Sequence, residues 1–180
     1  LERWVADIDD AVKTAKSESG VLRTVLVGVR FGATLAAQAA AARTDIDGVV
    51  LWEPIAHGAA FVDGLWEAHD AWLGEDARER PAAAAFGAGD EILGQALPSA
   101  LEHEIRAIDL SRDEDPVSVP TLVLRNEPAN DEAWTGRFSR IDVRTVDEAP
   151  MWAAHVGFDA APLPAESLQA IQTWIGGLRR

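Results

Sequence analysis

The sequence contains no cysteine, and this absence excludes several kinds of functional site at once. Without thiols the chain can form no disulfide, no thiolate nucleophile and no cysteine-ligated zinc or iron–sulfur centre. It also lacks an apolar run long enough to cross a bilayer, and its opening residues lack the basic and apolar regions of a signal peptide. We therefore expect a cytoplasmic protein without a membrane span.

Basic residues are few compared with acidic ones. The chain has 16 Lys and Arg against 30 Asp and Glu, which gives a formal net charge of −14. Such a surface repels nucleic acid and anionic membranes, so neither is expected as a partner. With 180 residues, of which 48% are hydrophobic, the chain is long and apolar enough for one globular domain.

Two kinds of apolar pattern alternate along the chain. Apolar or small residues at helical spacing predict helices, and β-branched apolar runs predict strands that are buried on both faces. Helices are expected at 2–17, 33–43 and 164–178. Strands are expected at 21–28, 48–52, 121–125 and 142–146. This alternation predicts an α/β fold, with a single domain over 1–180 and a mostly parallel sheet flanked by helices.

One segment, 57–119, interrupts the alternation. It holds two predicted helices, at 60–73 and 98–109, around a link rich in Gly and Ala at 82–89. About sixty residues without a strand are long for a connection between a strand and a helix. A helical insertion of this length is typical of a cap over an active site, and a simple surface excursion is the alternative.

A short glycine motif lies between the first predicted strand and the helix that follows it. The run Gly28-Val29-Arg30-Phe31-Gly32 has the layout of a nucleophile elbow, a sharp turn that lifts one side chain above the sheet. The usual sequence of that elbow is G-x-S-x-G. We expect Gly28 and Gly32 to be required by the sharp turn and the closely packed helix. An ordinary tight turn with glycines four residues apart is the alternative.

Four local motifs make the chain resemble the second half of an α/β-hydrolase. In particular, it resembles the exosortase A system-associated hydrolase-like proteins, which are relatives of serine aminopeptidase-like hydrolases. The motifs are Gly28-Val29-Arg30-Phe31-Gly32-Ala33, Leu51-Trp52-Glu53-Pro54-Ile55 with Gly58, the segment from Leu97-Pro98-Ser99-Ala100-Leu101 to Ile108-Asp109-Leu110, and Pro150-Met151-Trp152. The resemblance implies an α/β-hydrolase-like fold in which the first strands, and the loop that gives one oxyanion-hole amide, are absent. It also implies a setting in exopolysaccharide production or export.

The nucleophile position of this resemblance is occupied by Arg30. A serine hydrolase needs a hydroxyl nucleophile, a histidine base and an acid that orients the base. The guanidinium of Arg30 stays protonated and has no lone pair available for attack. The nearest hydroxyl, that of Thr34, lies inside the predicted helix. We therefore expect the chain to lack serine-hydrolase activity.

The acid and the histidine would follow the later strands, in the order nucleophile, acid, histidine. Asp131 and Glu127 are candidates for the acid, although Asp131 also suits the N-cap of a helix at 132–138. His155 is the histidine that follows the last predicted strand. In a second alignment with the resembling family, Met151-Trp152 takes the place of the histidine, and His155 is then a loop residue.

The remaining histidines have no metal-binding spacing. His57, His69 and His103 lie in or beside the insertion, with no i, i+4 pair and no HExxH motif. His103 lies between two glutamates and is expected on a solvated helix face. We therefore expect neither a metal nor another cofactor.

Three functions are open to a chain with these features. The first, which we favour, is a non-catalytic protein in which Arg30 binds an anionic small molecule, with Phe31 and Trp52 beside it. The second is an active hydrolase of esters, thioesters or amides that uses a displaced nucleophile. Its candidate serines are Ser99, Ser111, Ser118 and Ser139. The third is a protein-interaction module, because absent first strands leave a sheet edge open to a homo-oligomer or to a missing N-terminal half.

Overall fold

The computed structural model of the chain describes residues 1–76, 91–112, 115–126, 133–148 and 163–178. Its α-helices are α1 (Glu2–Ser19), α2 (Phe31–Ala41), α3 (Gly58–Asp76), α4 (Ser99–Arg106) and α5 (Ala165–Gly177), with a short 3-10 helix at Ala133–Arg137. Its strands are β1 (Val25–Val29), β2 (Gly48–Trp52), β3 (Glu91–Ile92), β4 (Gln95–Ala96), β5 (Thr121–Arg125) and β6 (Ile141–Thr145). Two compact units result, one formed by His57–Asp109 with Leu1 and the other by the rest of the described chain.

The larger unit contains a four-stranded parallel sheet in the order β1-β2-β5-β6. Its two central strands are buried on both faces, as their continuous apolar runs predict. The strands expected at 48–52 and 121–125 are confirmed to the residue. The first strand begins at Val25 instead of at 21, because pairing with β2 begins there. Just before it, the N–H of Thr24 donates to the Asp47 carboxylate at 2.8 Å.

Helices cover both faces of this sheet, which confirms the predicted architecture. On one face α2 packs on β1 and β2, and α1 packs on α2. The alanines of α2 allow the helix to approach the sheet closely, and Ala33, Ala36, Ala37 and Ala40 are buried in the core there. On the other face, Ile171 of α5 packs in a second core cluster with residues of β2 and β5. Among the described residues, no helix is long and apolar enough to span a bilayer.

The two edges of the sheet differ in chemistry. The β6 edge carries Asp142 and Arg144, whose side chains form an ion pair at 2.6 Å. Charged residues on an edge strand oppose pairing with another chain. The β1 edge has no charged residue, and its Val27 and Val29 are 50% and 37% exposed. This edge therefore offers an uncharged, apolar strand to any partner that can pair with it.

The smaller unit consists of α3, α4 and the hairpin formed by β3 and β4. Helix α3 packs on α4, and a Cβ added at Gly58 would lie 1.8 Å from the Ile105 carbonyl oxygen, so glycine is required there. The expectation of an insertion without strands is wrong. Leu93 and Gly94, with φ of 49° and 78°, form a tight two-residue turn that joins β3 to β4. The predicted link at 82–89 lies outside the described residues, and the cap role of the insertion stays a prediction.

Candidate functional site

The carboxyl ends of the parallel strands define the candidate site, because open α/β sheets bind their ligands at this edge. Arg30 lies between β1 and α2 with φ of 53°, a value that residues other than glycine rarely adopt. Its N–H donates to the Trp52 carbonyl at 2.8 Å, and its own carbonyl accepts the N–H of Ala33 at 2.9 Å. A backbone corner, strained by about 1–3 kcal/mol, therefore holds residue 30 at the carboxyl edge of the sheet.

The two glycines of the motif differ in their surroundings. A Cβ added at Gly28 would lie 2.4 Å from the Gly32 carbonyl oxygen and 2.5 Å from the Cα of Ala33. The start of α2 therefore requires glycine at position 28. A Cβ added at Gly32 would meet no atom within 4 Å, so the expectation that contact requires this glycine is wrong. The positive φ of the turn belongs to Arg30 and not to either glycine.

Thr34 cannot substitute for the missing nucleophile. Its side chain is fully buried. Its hydroxyl donates to the carbonyl of Ile55 at 2.8 Å and accepts the N–H of the same residue at 3.1 Å. Both bonds tie α2 to the segment after β2, so Thr34 stabilises the corner instead of taking part in chemistry.

Two aromatic residues adjoin Arg30. The ring of Phe31 packs edge-on against that of Trp4 in α1, with centroids 5.9 Å apart, and Trp4 is 40% exposed. Trp52 is only 5% exposed and packs in the second core cluster. Phe31 and Trp4 thus form an accessible aromatic pair next to Arg30, whereas Trp52 supports the site from the core. That Phe31 and Trp52 contact a ligand stays a prediction.

Three further polar residues lie at this edge: Glu53, which belongs to one of the four sequence motifs, and Asn126 and Glu148, which no motif contains. Glu53 follows β2 with φ of 49°, and its carboxylate accepts the backbone N–H of Asn126, which follows β5. The side-chain amide of Asn126 donates to the carbonyl of Glu148, beyond β6, at 2.5 Å. The signal that could have assigned Glu53 and Asn126 to the site is their position directly after buried strands, because a parallel sheet brings such residues to one edge.

The charges at this edge act on each other. Burial lowers the pKa of Arg30, and the negative charge of Glu53 raises it. Desolvation penalises the charged guanidinium, while a nearby carboxylate favours it. Glu53 is therefore an electrostatic partner of Arg30, although the two residues belong to different strand ends.

The predicted acid and histidine lie outside the described residues. This applies to Asp131, Glu127 and His155, and to the alternative pair Met151-Trp152. A catalytic role for any of them stays a prediction. Within the described ranges, no group of three or more His, Asp or Glu side chains could hold a metal ion.

The structure separates the candidate serines. Ser118 and Ser139 precede β5 and β6, at the amino ends of these strands and thus at the sheet edge opposite Arg30. Ser118 lines a depression of about 570 Å³ at that opposite edge. Ser111 follows Leu110, whose N–H donates to the Ala56 carbonyl at 2.9 Å, beyond the carboxyl end of β2. The fourth candidate, Ser99, lies in the smaller unit, at the start of α4.

No protein-family profile and no curated protein matches the sequence, but solved structures do. The esterase Pf2001 of Pyrococcus furiosus superposes with a TM-score of 0.60 and 12% identity over 98% of this chain. The protein VinJ superposes with a TM-score of 0.59 and 14% identity over 97% of it. MGS-MChE2 is an α/β hydrolase from the metagenome of lagoon sediments at Mar Chica, Morocco. It superposes with a TM-score of 0.54 and 14% identity over 98% of this chain.

This chain spans 62% of the length of the Pyrococcus esterase, 72% of VinJ and 71% of MGS-MChE2. At such identities the similarity concerns the arrangement of strands and helices and not the chemistry of the site. The chain therefore has an α/β-hydrolase-like fold. This conclusion rests on the parallel sheet, on the strand-to-helix corner at residue 30 and on these superpositions.

Proposed function

We propose that this chain is a ligand-binding protein of α/β-hydrolase-like fold without serine-hydrolase activity. The observation that carries the proposal is Arg30 at the strained corner between β1 and α2, where hydrolysis needs a hydroxyl. A guanidinium remains protonated at neutral pH and cannot attack a carbonyl carbon. The buried hydroxyl of Thr34 is already bonded twice to Ile55 and is not available for attack.

In this proposal Arg30 binds the anionic group of a small molecule. A guanidinium forms paired, charge-assisted hydrogen bonds with carboxylate or phosphate. Helix α2 begins at the next residue, and the positive end of its dipole adds to the attraction of an anion. Phe31, the residue after Arg30, forms with Trp4 an aromatic pair that offers an apolar surface at the start of α2. An aromatic carboxylate such as 3-phenylpropionate is therefore a suitable probe.

The role of Arg30 is tested by titrating 3-phenylpropionate into the wild-type protein and into an Arg30→Ala variant. We expect the substitution to raise the Kd at least about tenfold, which corresponds to about 1.4 kcal/mol. The far-UV circular dichroism spectrum should be unchanged, because the Arg30 side chain is only partly buried. Arg3→Ala, which removes an exposed cation from α1, is the matched control. Equal Kd values for wild type and Arg30→Ala contradict the proposal.

The four sequence motifs support a finer proposal, that the chain is a cytoplasmic exosortase A system-associated hydrolase-like protein with a role in exopolysaccharide production. A strain that lacks the gene should then release less exopolysaccharide. The wild-type gene should restore the amount, and the gene with Arg30→Ala should not. Unchanged exopolysaccharide in the deletion strain contradicts this role.

Hydrolysis of esters, thioesters or amides is a second candidate function. It is supported by the strained corner at residue 30, because an ordinary turn would not need the positive φ of this residue. The reaction requires a displaced nucleophile together with Asp131 and His155. Ser111 is the candidate serine of the larger unit that does not lie at the amino end of a strand.

An assay with p-nitrophenyl esters separates this candidate from the first. A displaced mechanism predicts activity that survives Arg30→Ala and is lost in both Ser111→Ala and His155→Ala. An Arg30→Ser variant, which restores a hydroxyl at the elbow, shows whether the rest of the site can support hydrolysis. Wild-type rates equal to the background without protein exclude hydrolysis of these esters.

A further inference from the structure

Three polar side chains follow neighbouring strands in the order of the sheet: Arg30 after β1, Glu53 after β2 and Asn126 after β5. Adjacent strands lie about 4.8 Å apart, and the register pairs Val29 with Trp52, the residues just before Arg30 and Glu53. Arg30 and Glu53 both have positive φ, at 53° and 49°. The backbone therefore holds a cation, an anion and an amide side by side in defined positions.

Glu53 is anchored on the side away from Arg30. Its N–H donates to the Leu124 carbonyl at 2.8 Å, and its carboxylate accepts the backbone N–H of Asn126. A carboxylate offers about four lone-pair sites, so Glu53 keeps capacity for further donors.

Asn126 adds a second acceptor next to Glu53. Its Nδ2 donates to the Glu148 carbonyl at 2.5 Å, and this contact determines which end of the amide is nitrogen. Its Oδ1 is then a buried acceptor that has no hydrogen-bond partner among the described residues. The row at the sheet edge thus consists of one donor group, Arg30, followed by two acceptors.

The charges of these side chains determine which ligands the site attracts. A ligand with only a negative charge is attracted by Arg30, and the carboxylate of Glu53, which follows the adjacent strand, offsets part of this attraction. A ligand that carries an ammonium beside its carboxylate also meets the carboxylate of Glu53. An ammonium has three hydrogen-bond donors, and the carboxylate has lone pairs left to accept them.

We propose that Glu53 is a specificity-determining residue that makes this site select amino-acid-like zwitterions over simple anions. The inference rests on the proposed role of Arg30 as the anchor of the anionic group. It adds the chemical class of the ligand, a carboxylate with an ammonium on a neighbouring carbon.

The experiment compares two probes that differ only in the α-ammonium, L-phenylalanine and 3-phenylpropionate. Their Kd values are measured by NMR titration at low ionic strength, because salt screens charge interactions of partly exposed groups. Wild type should bind L-phenylalanine at least about tenfold more tightly. Glu53→Gln should weaken L-phenylalanine and strengthen 3-phenylpropionate by about fivefold each, so that the preference is lost.

The variants are chosen to keep the fold. In Glu53→Gln the side-chain carbonyl can still accept the N–H of Asn126, and in Glu53→Asp the charge remains, so the preference for L-phenylalanine should persist. Glu18→Gln removes an exposed charge of the same sign from α1 and should change neither Kd. Equal shifts in Glu18→Gln and Glu53→Gln mean that net charge alone is responsible, and they overturn the inference.

Failure of the inference is distinct from failure of the proposed function. If Arg30→Ala weakens both probes but Glu53→Gln moves neither, or moves both in the same direction, Glu53 does not set specificity. If Arg30→Ala leaves both Kd values unchanged, Arg30 is not the anchor and both proposals are wrong. Absence of binding of either probe to the wild-type protein also overturns both.

Discussion

The Glu148 carboxylate accepts two hydrogen bonds from Ser167, one from the hydroxyl at 2.7 Å and one from the backbone N–H at 3.0 Å. It also accepts the N–H of Glu166 at 2.5 Å. These donors belong to the first turn of α5, where backbone N–H groups have no acceptor within the helix. Pro164, at the N-cap position, has no side chain that could serve them. Glu148 therefore caps α5 from the end of β6.

Replacing Glu148 by Ala removes this cap and should lower the free energy of unfolding at pH 7 by about 1 kcal/mol. Burial raises the pKa of Glu148, but the hydrogen bonds from Ser167 and Glu166 lower it more, so the net shift is downward. A lowered pKa means that the stabilisation is present above the unfolded-state pKa and is lost as the pH falls. Urea unfolding of both proteins at pH 7 and at pH 3 measures this. Equal stabilities at pH 7 contradict the capping role.

The different surroundings of Gly28 and Gly32 predict a difference between two alanine substitutions. Gly28→Ala forces a backbone shift at the start of α2 and should destabilise the protein by about 1–3 kcal/mol. Gly32→Ala places its methyl group in open space and should be neutral or slightly stabilising, because alanine favours the helix. Thermal unfolding of the two variants gives the comparison. Similar melting temperatures for both would mean that α2 does not pack tightly on Gly28.

Asp45 joins α1 to the segment after α2, and its ionisation should make the free energy of unfolding depend on pH. Hydrogen bonds from Arg43 and Lys16 lower the pKa of Asp45 from 3.8 to about 2. Because the folded-state pKa is the lower one, Asp45 stabilises the fold above its unfolded-state pKa, and this stabilisation disappears as the pH falls through about 2. Asp45→Asn should therefore lower the free energy of unfolding at pH 7. The difference between the variant and the wild type should become smaller as the pH falls from 4 to 2. Asp10→Asn, which breaks only the exposed pair with Lys13, is the control.

The apolar β1 edge predicts self-association. Pairing of two copies through β1 would satisfy backbone groups that the sheet leaves exposed and would cover Val27 and Val29. Val27→Lys should therefore reduce any concentration-dependent increase in mass seen by size-exclusion chromatography with light scattering. Val143→Lys, at a 40% exposed valine of the already charged β6 edge, should leave that increase unchanged. A wild-type protein that remains monomeric at high concentration is contrary to this prediction.

Local sequence patterns predicted the central strands well and the last helix less well. An uninterrupted β-branched run such as that of β2 is compatible with little other than a strand covered on both faces, so its bounds followed directly. In α5, Leu168 lies one helical turn before the buried Ile171, yet Leu168 is 40% exposed and Ser167 is buried. The reason is the bond between Ser167 and Glu148, 19 residues earlier in the chain, which no helical periodicity can reveal.

The order of strands and α-helices in the larger unit, and the presence of a guanidinium at residue 30 with glycines on either side, were determined by the sequence alone, because they depend on neighbours within a few residues. Which polar groups share the sheet edge with that guanidinium was decided only by the tertiary structure. Glu53 and Asn126 are 73 residues apart in the chain and meet because β2 and β5 pair in parallel. Strand pairing is a long-range interaction. The position of the Glu53 carboxylate next to the strand end of Arg30 can therefore be recognised only in the assembled sheet.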